Sequence, residues 1–176
     1  MTSKFLFSIA ICFFASSSLI AQNVGTAGSI LSGAYDKASK QNKNVIVIFH
    51  ASWCGWCKKL DASMNDATTK KYFEDNFLTV HLTVQETNEN KRLENSGAAE
   101  YLATLKGEKA GLPFFAILNN KGDVIDDSFS NGENIGCPAT DDEVAAFITK
   151  LKKTSKINED GLKIIAERFK QNSVQE

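Results

Sequence analysis

Proline and cysteine are both scarce: the 176 residues contain two prolines and four cysteines, with 11 glycines. So little Gly and Pro excludes a fibrous or low-complexity chain. Four cysteines are too few to staple a domain of this length, so a hydrophobic core has to hold it. Neither sign of charge is in excess, with Lys+Arg 20 against Asp+Glu 21. That argues against nucleic-acid binding led by phosphate contacts. Beyond the N-terminus no apolar stretch nears the ~18 residues that span a bilayer, so a soluble mature chain is expected. What remains is 43% hydrophobic and 23% charged, the composition of one ordinary globular domain.

The first residues stand apart from that domain. Met1 to Lys4 carries one positive charge, and Phe5 to Phe14 is almost continuously apolar. This is the length of a signal-peptide core and too short for a membrane span. Small residues follow, Ala15 to Ser18, then Leu19-Ile20-Ala21-Gln22. Residues 1–21 are therefore read as a signal peptide cleaved after Ala21, although Leu19 is larger than the usual residue at its position. Ile11 is too bulky for a lipobox, so Cys12 is discarded with the signal. Residues 22–176 form the mature domain, exported to a periplasmic or extracellular compartment where disulfides form and reshuffle. Three cysteines remain in it: Cys54, Cys57 and Cys137.

Ile30, Leu31, Ala34, Tyr35 and Ala38 share one helical face, and Asn42-Lys43-Asn44 ends that helix. Val45-Ile46-Val47-Ile48-Phe49 reads as a strand buried on both faces. Helices are expected over 57–64 and 68–76, a strand over 77–84, and a helix marked by Leu93, Tyr101, Leu102 and Leu105. Phe114 to Leu118 is a third strand, and Val124 to Phe129 pairs back on it after the turn Asn119 to Asp123. Thr140 and Glu143 form a capping box for the next helix. A last helix, about 158–171, is capped by Asn158, with Ile157 and Leu162 as its hydrophobic staple. Lys150, Lys152, Lys153 and Lys156 are read as a solvated face.

The chemistry concentrates in Trp53-Cys54-Gly55-Trp56-Cys57-Lys58. A structural zinc needs four ligands, and here a single pair is joined only by Cys137, His50 and His81, far apart in sequence. The pair follows a buried strand and opens a helix. Unsatisfied N–H groups at a helix start stabilise a thiolate, so Cys54 is the candidate nucleophile and Cys57 the resolving thiol. Lys58 adds positive charge one turn on.

The run Val45 to Lys58, with its strand, Trp-Cys-x-x-Cys-Lys turn and helix, resembles the thioredoxin superfamily. Gly111-Leu112-Pro113-Phe114 resembles that family's second landmark, a cis-proline entering a strand. Gly132 to Pro138 is similar to a segment of exported bacterial thioredoxin-like proteins. The match covers about residues 26–153. The resemblance implies an α/β thioredoxin-like fold, a central mixed sheet flanked by helices, with the C-terminal helix as an addition. It also implies a thiol–disulfide oxidoreductase, reductase favoured, whose redox group is the Cys54–Cys57 disulfide itself and which needs no other cofactor and no metal. Its partners are then exported proteins with disulfides and a membrane or soluble electron donor, the chain acting as a monomer. Leu112 offers backbone groups to a bound peptide, and Pro113 shapes the groove.

Several positions carry two readings. Ile48 stands where many thioredoxins have a buried acid, and His81 where they often have a lysine. His81 is then either the proton acceptor or a satisfied core histidine. His50 either tunes Cys54 or caps a loop. Trp53 and Trp56 are candidates for substrate contact, against packing for Trp53 and a structural role for Trp56. Cys137 is a buried small residue, a regulatory thiol or a metal ligand. Two rival functions stay open: a copper-holding module of two cysteines and a histidine, and a peptide-binding chaperone with little turnover.

Overall fold

The computed structural model describes residues 24–174. The expected signal peptide and its cleavage site lie outside the described residues. Among these, no helix is long and apolar enough to cross a membrane.

The chain starts with α1 (Ala27–Gln41), capped at its start by Thr26 and closed by Asn42 in the left-handed conformation. β1 (Asn44–His50) follows, then α2 (Gly55–Met64) and α3 (Lys70–Asn76). β2 (Phe77–Thr83) runs parallel to β1. A 3-10 turn (Asn88–Leu93) and α4 (Ala98–Thr104) lead to β3 (Phe114–Leu118), which pairs antiparallel with β1 on its other side. β4 (Val124–Asp127) completes a mixed sheet of order β2-β1-β3-β4. A small hairpin, β5 (Phe129–Ser130) and β6 (Glu133–Asn134), precedes α5 (Asp141–Thr154) and α6 (Glu159–Lys170), after which Gln171–Val174 makes a last 3-10 turn.

The alternation of β1 divides the core in two. Val45, Val47 and Phe49 point to the face covered by α1 and α4, among Ala34, Ala38 and Leu102. Ile46 and Ile48 point to the face covered by α2, α3, α5 and α6, among Leu60, Phe147, Leu162 and Phe169. A central strand with both faces covered has no use for polar side chains, which is why the run 45–49 is continuously apolar.

The C-terminal helix is part of this core. Asn158 accepts from the Gly161 N–H at 2.9 Å, and both staple residues, Ile157 and Leu162, are buried. A Cβ at Gly161 would lie 2.6 Å from the Tyr72 ring, so the missing side chain is what lets α6 close on α3. The capping box of Thr140 and Glu143 is present as expected.

Three expectations need correction. Leu93 belongs to the 3-10 turn and not to α4, because Asn95 leaves the helical path: its side chain accepts from Thr83 N and donates to Gly25 O, and Gly97 then starts α4 with φ of +84°. The return strand is interrupted at buried Ser128, whose hydroxyl accepts from Phe115 N while its own N–H donates to Phe115 O. Lys150 is not on a solvated face: its side chain is 12% exposed and bridges Asp126 at 2.9 Å and Phe129 O at 2.7 Å, tying α5 to the edge of the sheet.

Phe169 is fully buried, with its ring 4.9 Å from Phe147 and 6.2 Å from Phe73. Phe169→Ala is expected to cost about 3–5 kcal/mol in urea unfolding. An unchanged midpoint would show that α6 is dispensable to the domain.

Candidate functional site

β1 delivers the chain to α2 through four residues, and Cys54 is the residue that caps the new helix. Its backbone is extended and its Sγ accepts from the Cys57 N–H at 3.1 Å. Cys54 and Cys57 are joined by a disulfide with an S–S distance of 2.06 Å, and they are 3% and 2% exposed. A sulfur in that position faces the free N–H groups and the positive end of the helix, which is the setting that favours a thiolate once the bond is reduced. Ala51 and Leu112 pack against the pair. The Leu112–Pro113 bond is cis. Phe49 pairs with Phe114, so Pro113 enters β3 beside the point where β1 ends.

The turn before Cys54 is held from the next loop. Glu86 is buried, and its two carboxylate oxygens accept from Ser52 N at 2.6 Å and Ser52 Oγ at 2.7 Å. The Trp53 indole N–H donates to Gln85 O at 2.9 Å, and Gln85 takes a left-handed φ of +54°. Trp53 is otherwise 54% exposed, so it is tethered by one edge rather than packed. Trp56 is 38% exposed, with Lys59 Nζ 4.2 Å from its ring centre. Lys58 lies exposed on the first turn of α2.

Below the cysteines three side chains meet on the α2 side of the sheet. His81, paired with Ile48 across the strands, places Nε2 2.8 Å from Asp61 Oδ1. The His50 and His81 rings are 5.2 Å apart, and His50 Nε2 is 3.2 Å from Thr83 Oγ1. Asp61 lies four residues after Cys57, hence on the same helical face. Burial first, then the neighbouring His81, holds the His50 pKa below the ordinary histidine value, against the pull of Asp61 and Glu86, so His50 is neutral at pH 7. Asp61 was not among the expected site residues. Among the described residues no group of three or more His, Cys, Asp or Glu is placed to hold a metal ion.

Beside the disulfide runs a groove of about 430 Å³ lined by Trp56, Leu112, Pro113, Gly136, Cys137 and Ser173, among others. Its floor is organised by Asn134, whose amide donates to Ala110 O, Gly111 O and Pro113 O and whose oxygen accepts from Gly136 N. Neither Asn134 nor Glu86 stood out in the sequence. The C-terminal segment reaches the same place. Buried Asn172 donates to Cys137 Sγ at 3.4 Å and to Pro138 O at 3.1 Å, and it accepts from Ser63 Oγ at 3.0 Å on α2. Cys137 is buried, and burial pushes its thiol up to about 12. It is therefore protonated and inert across the physiological range. Iodoacetamide at pH 8 is expected to label Cys54 first in the reduced native domain and Cys137 only after denaturation, read by peptide mass spectrometry.

Over 83 residues the chain is 34% identical to protein disulfide-isomerase A5 of Bos taurus, a match covering 45% of this chain and 16% of that protein. The chain thus spans about a sixth of that curated relative. The disulphide isomerase of Xylella fastidiosa Temecula1 superposes with a TM-score of 0.49 at 18% identity, over 84% of this chain and 91% of that one. Thioredoxin O2 of Arabidopsis thaliana in its oxidized state gives 0.44 at 18% identity, over 73% and 86%. A family model described as thioredoxin-like matches residues 27–120, which runs from α1 through the cysteine turn and the cis-proline to the end of β3. The segment that builds the disulfide site is the segment that matches, and the chain belongs to the thioredoxin-like family.

Proposed function

We propose that the chain is an exported thiol–disulfide oxidoreductase that reduces or exchanges disulfides of exported proteins, with reduction as its main direction. The observation that carries this reading is the disulfide at the start of α2, in which the Cys54 sulfur caps the helix and accepts the Cys57 N–H. In the reduced protein the Cys54 thiolate attacks a substrate disulfide. A Cys54–substrate bond forms and one substrate thiolate leaves. Cys57 then attacks Cys54 Sγ, the mixed disulfide breaks, and the second substrate thiol is released with both electrons. A dithiol donor, membrane-bound or soluble, reduces the Cys54–Cys57 disulfide again. Leu112 and Pro113 present the groove to the substrate chain, and Trp53 and Trp56 supply exposed aromatic surface on either side of Cys54.

Cys57 must lose its proton before it attacks, and no acid stands at Ile48 on the strand beneath it. Asp61, on the same face of α2 and bonded to His81, is the acceptor the arrangement offers. Asp61→Asn should slow steady-state disulfide reduction at pH 7 by about tenfold or more without slowing the alkylation of Cys54. Equal turnover in both proteins would remove Asp61 from the proton route.

Cysteine variants test the whole reading. Cys57→Ser should accumulate mixed disulfides with exported proteins on non-reducing gels of acid-quenched cells, because attack proceeds and resolution cannot. Cys54→Ser should trap almost none, and Cys137→Ser should keep turnover. Trapping by Cys54→Ser alone would reverse the two roles. Turnover indifferent to both substitutions, with Cu(I) binding dependent on them, would replace the enzyme by a metal carrier. Peptide binding without turnover would leave the chaperone reading.

A further inference from the structure

Among the described residues Glu86 is the only Asp, Glu, Lys or Arg that is buried, at 4% exposure. Its oxygens meet only the N–H and hydroxyl of Ser52, two residues before Cys54. No lysine, arginine or histidine among the described residues pairs with it within 4.0 Å. The nearby cation, Lys91, is bonded to a second acid instead: Glu94 accepts from Lys91 Nζ at 2.8 Å and from the Glu86 backbone N–H at 2.7 Å. The loop that carries Glu86 is itself held in an unfavourable shape, with Gln85 left-handed so that its carbonyl reaches the Trp53 indole and its amide reaches Glu108 O at 3.2 Å. A buried carboxylate without a counter-ion is costly, and strain of this kind persists where the surroundings enforce it. Both features converge on the short turn that ends in the nucleophile.

Resting on the redox reading above, we infer that Glu86 is a positioning residue that sets the redox poise of the Cys54–Cys57 pair. Its two hydrogen bonds fix the turn that aims Cys54 at the helix start. Its negative charge, held on Ser52 two residues before Cys54 and without a counter-ion, opposes the Cys54 thiolate. The helix N-terminus and the exposed Lys58 favour that thiolate, while Glu86 and, from α2, Asp61 oppose it; of the histidines below, His50 is neutral. Disfavouring the thiolate destabilises the reduced form and makes the dithiol the better electron donor, the reverse of the arrangement that turns a reduced-state-stabilised pair into an oxidant. Glu86 thereby biases the site toward reduction.

Glu86→Gln isolates the charge, because the amide oxygen can accept from Ser52 N and the amide nitrogen can donate to Ser52 Oγ. Glu86→Ala removes both. The measured reaction is the exchange in which the protein disulfide and two molecules of reduced glutathione give the protein dithiol and one glutathione disulfide. In full-length mature protein, E86Q should shift this equilibrium toward the dithiol by about fivefold and move the pH midpoint of Cys54 alkylation downward, with little change in unfolding midpoint. E86A should lower the unfolding midpoint as well. An E86Q protein whose glutathione equilibrium and alkylation midpoint match those of the parent overturns the inference while the parent's own equilibrium leaves the redox reading standing. A parent protein with no reversible thiol–disulfide equilibrium overturns both.

Discussion

The whole site depends on where β1 stops. That strand is buried between β2 and β3, so its register with each neighbour is locked by apolar side chains on both faces, and a slip of one residue would exchange them. Because Phe49 is paired with Phe114, the end of β1 and the cis-proline that begins β3 are forced side by side. Because Ile48 is paired with His81, the histidine falls within reach of Asp61 on α2. Cys54 needs only to follow within a few residues to meet Leu112 on one side and the helix N–H groups on the other.

Around that junction the polar side chains form a frame and not a surface. Glu86 holds the turn from the β2 side, Asn134 gathers three carbonyls of the proline loop, and Asn172 joins α2, the Cys137–Pro138 bend and the chain's end. Each is a buried or half-buried group with its hydrogen bonds satisfied, and among the described residues no buried side-chain nitrogen or oxygen lacks a partner. Networks of that kind specify one arrangement because a partial break leaves a polar group dry.

Much of this was legible in the sequence, and the division has a physical cause. The apolar run 45–49, the cysteine spacing, the Asn158 cap and the Thr140–Glu143 box are local patterns, and a local pattern is written in consecutive residues. The two cysteines stood out among them, and the fold class and the cis-proline came from the resemblance that the cysteine turn and Gly111-Leu112-Pro113-Phe114 carry. Asp61, Glu86, Asn134 and Asn172 are single polar residues whose meaning lies in a partner 20 to 109 positions away. In sequence they look like any exposed polar residue. For Trp53 the sequence leaves packing and exposure open, and the tether from its indole to Gln85 O shows how it stays half in water. Lys150 was assigned to water by its lysine-rich surroundings, although the aspartate that draws it in stands 24 residues earlier.

The groove is assembled from two stretches of the chain. The family match ends at residue 120, after supplying Trp56, Leu112 and Pro113. The opposite wall, from Asn134 through Glu143 and on to Ser173, comes from the chain beyond it. The disulfide and one wall of the groove thus lie within the segment the family model matches, and the facing wall lies after it.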